Sequence, residues 1–258
     1  MKHISNLRHI IYRSHILSYA IAALLVLGTI SSVCAKAPAT AKIVFTSTQD
    51  GGNQIYIMNP DGSNQINLSR NDVWDTEPVW SPDGAQILFV SDRDGLSDLY
   101  IMDADGRGVR KVFRDNEYRT DPTWSPDGKQ IAYAAGRTGR EGVNIIITDP
   151  SGNKRRNLTQ VGRGAWARSP AWSPDGKSIA YFFAILPKMM PGEKIEATKF
   201  WADNVICVIK VEGGNEGEPL EETRGMASNP VWLPETFFPV SPSADKHPTL
   251  WGAVKNQE

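Results

Sequence analysis

The chain has 258 residues, of which 40% are hydrophobic and 22% charged, as expected of a globular protein with a buried core. Its formal net charge is −1 and it has no basic block, which argues against nucleic acid as a partner. Its 22 glycines and 17 prolines recur at regular places, which predicts many tight turns and therefore many short strands.

The first 35 residues predict a secretory signal peptide. Residues 1–15 carry three Lys or Arg side chains and no acidic one, residues 16–30 are mostly apolar, and small residues stand at Val33 and Ala35. These are the three parts of a signal peptide, so we expect cleavage after Ala35 and a periplasmic or secreted mature chain. The alternative is an uncleaved anchor, although a membrane span usually needs about 20 apolar residues. We expect membrane contact only in that case.

Cleavage changes the charge and the cysteine content. Lys and Arg fall from 28 to 25 while Asp and Glu stay at 29, which leaves a net charge of about −4. Lipid attachment at Cys34 is disfavoured, because Ser31-Ser-Val33 before it lacks the leucine of a typical attachment site. Only Cys207 then remains, so the mature chain cannot form an internal disulfide and its stability depends on burial.

A repeat organises the rest of the chain. Pro-x-Trp-Ser-Pro-Asp-Gly occurs at 78–84, 122–128 and 170–176, and a shorter copy, Pro-Val-Trp-Leu-Pro, occurs at 230–234. Ser-Pro-Asp-Gly predicts a hairpin turn, because Pro fixes one φ angle and Gly supplies a positive one. The repeat residues are Trp80, Pro82, Asp83, Gly84, Trp124, Pro126, Asp127, Gly128, Trp172, Pro174, Asp175, Gly176 and Trp232.

Four short strands follow from each repeat, which is the period of a β-propeller blade. The strand after each turn has the pattern Ile-x-Phe/Tyr, as in Ile87-Leu-Phe89. Large aromatic side chains bury much apolar area, so we expect the repeat tryptophans to fill the gaps between blades. We predict an all-β propeller of about four blades, with four antiparallel strands each, over residues 42–233.

The two ends of the chain are expected to pair. The propeller region begins at a second strand (42–47) and ends at a first strand (229–233), so these strands would complete one blade and close the ring. Residues 36–41 are expected to be a linker. Residues 234–258 still carry large apolar groups, so we expect this extension to pack on the propeller.

Together these motifs resemble the TolB-like, WD-repeat-like β-propeller repeat over residues 42–233. The resemblance implies a periplasmic binding scaffold; TolB itself grips the peptidoglycan-associated lipoprotein at its propeller mouth. The resemblance implies six blades and an added N-terminal domain for TolB itself, whereas this chain has four repeats. The chain is therefore not expected to be a full-length TolB.

The sequence offers no catalytic constellation. Three of its four histidines lie in the predicted signal peptide and only His247 remains, too few for a Ser-His-Asp triad or a histidine metal site. Asp92 and Asp94 have the spacing of calcium ligands, but no late Glu stands in register, so we interpret these aspartates as turn residues. We predict no catalytic residues, no metal and no cofactor.

A partner is expected at the channel mouth, because the loops that lead into each blade's first strand share that face. These loops carry aromatic, Arg and acidic residues, the types that anchor interfaces. A long insertion at 184–204 adds paired Met and Trp, suited to an adaptable apolar contact. The candidate binding residues are Trp74, Glu77, Tyr118, Arg119, Asp121, Trp166, Arg168, Met189, Met190 and Trp201.

Three functions compete. The favoured one is an exported, non-enzymatic scaffold that binds an envelope protein, a peptide or a glycan at the mouth. The second is a partial propeller completed by self-association. The third is a hydrolase- or lyase-type propeller enzyme, which the lack of candidate catalytic residues disfavours.

Overall fold

The computed structural model describes residues 10–12, 41–136, 142–185, 204–213, 217–225 and 228–232. These residues form β-strands joined by turns, with a short 3-10 helix at Glu221–Thr223. The predicted all-β class is confirmed. Among the described residues, no helix is long and apolar enough to span a bilayer.

The strands form four successive antiparallel blades. A separate strand, β1 (Ile10–Tyr12), comes before the blades in the chain. The first blade consists of β2 (Ile43–Ser47), β3 (Gln54–Met58) and β4 (Ile66–Asn67). The second blade consists of β5 (Asp75–Trp80), β6 (Gln86–Ser91), β7 (Asp98–Asp103) and β8 (Arg110–Lys111). The third blade is β9 (Arg119–Trp124), β10 (Ile131–Ala135), β11 (Asn144–Thr148) and β12 (Arg156–Asn157), and the fourth is β13 (Ala165–Trp172), β14 (Ser178–Ile185), β15 (Asn204–Lys210) and β16 (Glu218–Leu220). The last strand is β17 (Pro230–Trp232).

The Ser-Pro-Asp-Gly segments form the hairpin turns between the first and second strands. In the second blade, the Gly84 N–H donates to the Ser81 carbonyl (2.9 Å) with a Gly84 φ of 69°. The Ser81 hydroxyl donates to Asp83 Oδ1 (2.6 Å), which also accepts the Ala85 N–H (3.0 Å). The hydrogen bond from Ser81 lowers the pKa of Asp83. The same contacts recur at 125–130 and 173–178.

Each gap between successive blades holds one hydrophobic cluster with a repeat tryptophan in it. Trp80 packs between the first and second blades, and Trp124 between the second and third. Trp172 packs between the third and fourth. Trp124 and Trp172 are each only 8% exposed, which places them in the core as the sequence predicts.

A fourth cluster covers the far face of the fourth blade. Trp232 of β17 packs there against buried Ala180, Phe182 and Ile206. Its indole N–H donates to the Ala171 carbonyl (2.9 Å). β17 therefore docks on the fourth blade as the first strand of a following blade would.

The two ends of the chain pair in a different way from the one predicted. β17 pairs with β1, Trp232 opposite Ile10, rather than with β2. This register matches that of the blades, where Trp80 stands opposite Ile87, because Ile10-Ile-Tyr12 repeats the Ile-x-Phe/Tyr pattern of every second strand. Within the described residues the first blade is consequently three-stranded, and the other three have four strands each.

Three other predictions lie wholly or mostly outside the described residues. They are the linker at 36–41, of which only residue 41 is described, the inserted loop, of which residues 186–203 are not described, and the C-terminal extension. The predicted signal peptide is described only at Ile10–Tyr12, and its cleavage stays a prediction.

We expect Trp172→Ala to lower the free energy of unfolding by about 3–5 kcal/mol, because truncating a buried aromatic side chain loses its burial and leaves a cavity. The matched control is Trp74→Ala, since Trp74 is 62% exposed; its effect should stay within about 0.5 kcal/mol. Urea unfolding followed by circular dichroism measures both. Equal losses in the two variants would contradict the assignment of the repeat tryptophans to the core.

Candidate functional site

The first strands β5, β9 and β13 each contain a bulge at the residue before the proline, and the residue before Pro230 has a positive φ angle as well. Glu77, Asp121, Ser169 and Asn229 have φ angles of 53°, 54°, 50° and 24°, a left-handed region that residues other than glycine seldom adopt. The strand pairing shifts register around the bulges of the second, third and fourth blades. Such bulges re-aim side chains, and here the same one recurs in successive blades.

The bulges bring polar groups from neighbouring blades into contact. The Asp121 N–H donates to Glu77 Oε2 (2.6 Å). The Arg168 guanidinium donates to Asp121 Oδ2 (3.1 Å) and to Thr120 Oγ1 (3.0 Å). The Ser169 hydroxyl lies 2.8 Å from Asn229 Oδ1. A row of polar contacts therefore runs along the first strands, which are the innermost strands of a propeller.

The acidic end of this row is a carboxyl group with a raised pKa. Desolvation by the surrounding strands, followed by repulsion from the Asp121 carboxylate, raises the pKa of Glu77 to about 7. The Arg168 guanidinium opposes this rise. Glu77 keeps solvent contact, so protons can exchange with this group near neutral pH.

Two aromatic side chains stand in the loops just before these strands. Trp74 is 62% exposed and Tyr118 is 37% exposed. The Trp74 backbone is fixed, because its N–H donates to Asp92 Oδ1 (2.8 Å) and its carbonyl accepts the Asp92 N–H (3.2 Å). An exposed ring on a fixed backbone can bind a partner at low entropic cost.

We call Trp74, Glu77, Tyr118, Asp121 and Arg168 the inner mouth. All five stand at or within a few residues of the start of a first strand, and these starts share one face of a propeller. The residues combine exposed aromatic surface with charges of both signs, which suits binding and orienting a partner.

The remaining candidate residues are placed differently. Trp166 is half-buried against the cluster between the third and fourth blades, with the Arg168 guanidinium 6.0 Å from its ring. Met189, Met190 and Trp201 lie outside the described residues. Ser169 and Asn229 were not among the predicted binding residues, although their position before Pro170 and Pro230 is a sequence signal that could have found them.

Arg119 belongs to the framework rather than to the exposed mouth. Its side chain has no exposed area, and its guanidinium contacts Asp98 (3.0 Å), Asp115 (2.7 Å) and Glu117 (2.8 Å). The guanidinium also lies 3.9 Å from the centroid of the buried Phe113 ring. Because Asp98 comes from the second blade and Arg119 from the third, this ion pair fastens the two blades together.

In the described part of the chain, no group of three or more His, Cys, Asp or Glu side chains is arranged to hold a metal ion.

Comparison with known protein families shows which family the chain belongs to. The sequence model of the TolB β-propeller domain matches residues 11–236. The chain belongs to the TolB β-propeller domain family. None of the curated proteins compared with the chain matches it.

Solved structures of TolB proteins share this propeller. A putative TolB from Agrobacterium tumefaciens is 22% identical with a TM-score of 0.57, over 71% of this chain and 62% of that one. TolB from Acinetobacter baumannii is 21% identical with a TM-score of 0.57, over 80% and 46%. This member of the TolB β-propeller family therefore spans about half to three fifths of the length of those proteins and is not a full-length TolB.

The same propeller also occurs in an enzyme. A puromycin-hydrolyzing peptidase from Mycobacterium tuberculosis is 16% identical with a TM-score of 0.51, over 69% of this chain and 27% of that one. At this identity the likeness concerns the fold alone.

We expect Arg119→Met to lower the free energy of unfolding by about 3 kcal/mol, because it leaves the Asp98 carboxylate buried without its main partner. The control is Arg155→Met, whose side chain is 41% exposed in its ion pair with Asp115; its loss should stay below about 1 kcal/mol. Urea unfolding measures both. Adding Asp98→Asn to Arg119→Met should recover part of the loss, and no recovery would argue against the buried pair.

Glu77 should make stability depend on pH. Its pKa is raised from 4.5 to about 7, so the folded state holds the proton more tightly than the unfolded state. The resulting stabilisation is complete below pH 4.5 and disappears as the pH rises through about 7. The wild type should therefore lose stability relative to Glu77→Gln across this range.

Thermal melts of both proteins from acid to mildly alkaline pH measure the difference. Exposed Glu222 supplies the control, since Glu222→Gln should run parallel to the wild type. A difference between wild type and Glu77→Gln that does not vary with pH would contradict the raised pKa.

Proposed function

We propose that this chain is a non-enzymatic binding scaffold of the bacterial envelope, and that it holds an envelope protein, a peptide or a glycan at the inner mouth. The observation that carries the proposal is the polar row of Glu77, Asp121 and Arg168, with the exposed rings of Trp74 and Tyr118 directly before two of the same strands. Trp, Tyr and Arg are the residue types that most often dominate binding energy. Membership of the TolB β-propeller family and the predicted signal peptide support the location.

The proposal of binding without catalysis rests on the sequence. A histidine-dependent hydrolase or lyase needs a histidine held on ordered elements, and the predicted mature chain keeps only His247, in its C-terminal extension.

The test is capture of partners from an envelope extract by immobilised protein, with the captured material identified by mass spectrometry and glycan analysis. The double variant Trp74→Ala/Arg168→Ala should capture the same partner at least about tenfold less efficiently, because each anchor residue can contribute about 2 kcal/mol. The matched control is Ile66→Ala, which removes an exposed apolar side chain from the outer strand β4 (46% exposed). Unchanged capture by the double variant would refute binding at the inner mouth.

A second candidate is a partial propeller that self-associates. It is favoured by the three-stranded first blade and by the pairing of β17 with β1 rather than β2. In the described residues the edge of β2 away from β3 has no strand partner, and open edges invite pairing with another chain. Light scattering distinguishes the candidates: a 28.5 kDa particle for the full chain supports a monomeric scaffold, and twice that mass supports self-association.

A further inference from the structure

The outermost strands of the four blades carry very different charges. In the first blade, residues 63–70 carry one charge, that of exposed Arg70. In the fourth blade, exposed Glu218, Glu221 and Glu222 make the outer edge acidic, although Arg224 forms an ion pair with Glu221. The outer edges of the second and third blades are both basic. Their seven cations, called the basic rim below, are Arg107, Arg110, Lys111, Arg114, Lys154, Arg155 and Arg156.

The basic rim is one continuous surface across two blades. The Arg110 guanidinium of the second blade donates to the Pro150 carbonyl of the third (3.1 Å). In the other direction, the Arg155 guanidinium contacts Asp115 (2.6 Å). The outer edges of the second and third blades are therefore in contact, and both carry cations.

Much of this positive charge is not neutralised within the described residues. Arg107, Lys111 and Arg155 have carboxylate partners there. Arg110, Arg114 and Lys154 are exposed and form no ion pair with a carboxylate of the described residues. Because the whole chain has a net charge of −1, the rim reflects a segregation of charge and not a basic protein.

The chemistry of the rim suits phosphate groups on a surface. Phe113 lies in the chain between the rim residues of β8 and those of the following loop. Its side chain is only 3% exposed. The rim therefore offers no aromatic side chain for stacking against bases, which single-stranded nucleic acid recognition uses. A row of Lys and Arg on the outer edge of a globular domain can instead contact several lipid phosphates at once. The predicted export of the chain also places it beside membranes and away from nucleic acid.

We propose that the basic rim adsorbs to a membrane surface rich in anionic phospholipid headgroups. The outermost strands lie at the opposite side of each blade from the first strands, so this contact leaves the inner mouth free. The acidic edge of the fourth blade is repelled by the same surface, which orients the molecule. The contact does not require the apolar N-terminal segment.

The experiment is vesicle flotation with the full chain. Vesicles of phosphatidylcholine are compared with vesicles containing about 30% phosphatidylglycerol, each at about 0.05 M and about 0.5 M NaCl. Phosphatidylcholine vesicles measure any contribution of the apolar N-terminal segment. The rim variant is Arg110→Glu/Arg114→Glu/Lys154→Glu. The control is Lys129→Glu/Lys177→Glu/Lys210→Glu, which changes the net charge equally at exposed sites off the rim.

We expect preferential binding to the anionic vesicles that is lost in high salt. The rim variant should bind them at least about tenfold more weakly, since each basic residue near an anionic surface contributes about 1 kcal/mol, and the control should keep most of the binding. Circular dichroism checks folding, and the corresponding Gln variants replace any Glu variant that unfolds. The proposal is overturned by equal binding to both vesicles, by equal losses in the two variants, or by rim-dependent binding of soluble polyphosphate without vesicle binding.

Discussion

The packing of one blade against the next is the interaction on which the rest of this structure depends. A small sheet of two- to eight-residue strands has two faces to bury, and a neighbouring blade covers each of them. Trp80, Trp124 and Trp172 occupy the same position in three successive gaps, and Trp232 occupies it on the far face of the fourth blade. The spacing between blades is therefore set by a repeated aromatic side chain, and the polar groups are aligned as a consequence.

The alignment explains why the candidate binding residues lie together at the starts of the first strands. Because β5, β9 and β13 bulge at the residue before the proline, Glu77, Asp121 and Ser169 recur at equivalent places, and Asn229 has a positive φ angle at the corresponding position before Pro230. The bulge takes a conformation that costs about 1–3 kcal/mol in most residues, and blade packing holds it. The contacts along this row join neighbouring blades, so the inner mouth acts as one rigid unit.

The arrangement of charged residues also differs between the inner and the outermost strands of the blades. The inner strands hold paired charges, such as Arg168 with Asp121, which fix geometry. The outermost strands differ in charge from blade to blade, with exposed cations on β8 and β12 and Glu218 on β16, because these strands have solvent on their outer edge and tolerate any polar residue. Two surfaces with separate uses can therefore coexist on one small propeller.

The sequence by itself determined the all-β class, the turns and the core tryptophans, because these depend on patterns within a few residues of each other. Only the tertiary structure decided that β17 pairs with β1, since β1 and β2 both carry the Ile-x-Phe/Tyr pattern. It also decided that Arg119 is buried and Trp74 exposed: desolvation depends on neighbours such as Asp98, 21 residues away. The contacts of Glu77 with Asp121 and of Arg110 with Pro150 span 44 and 40 residues, and no local pattern encodes such distances.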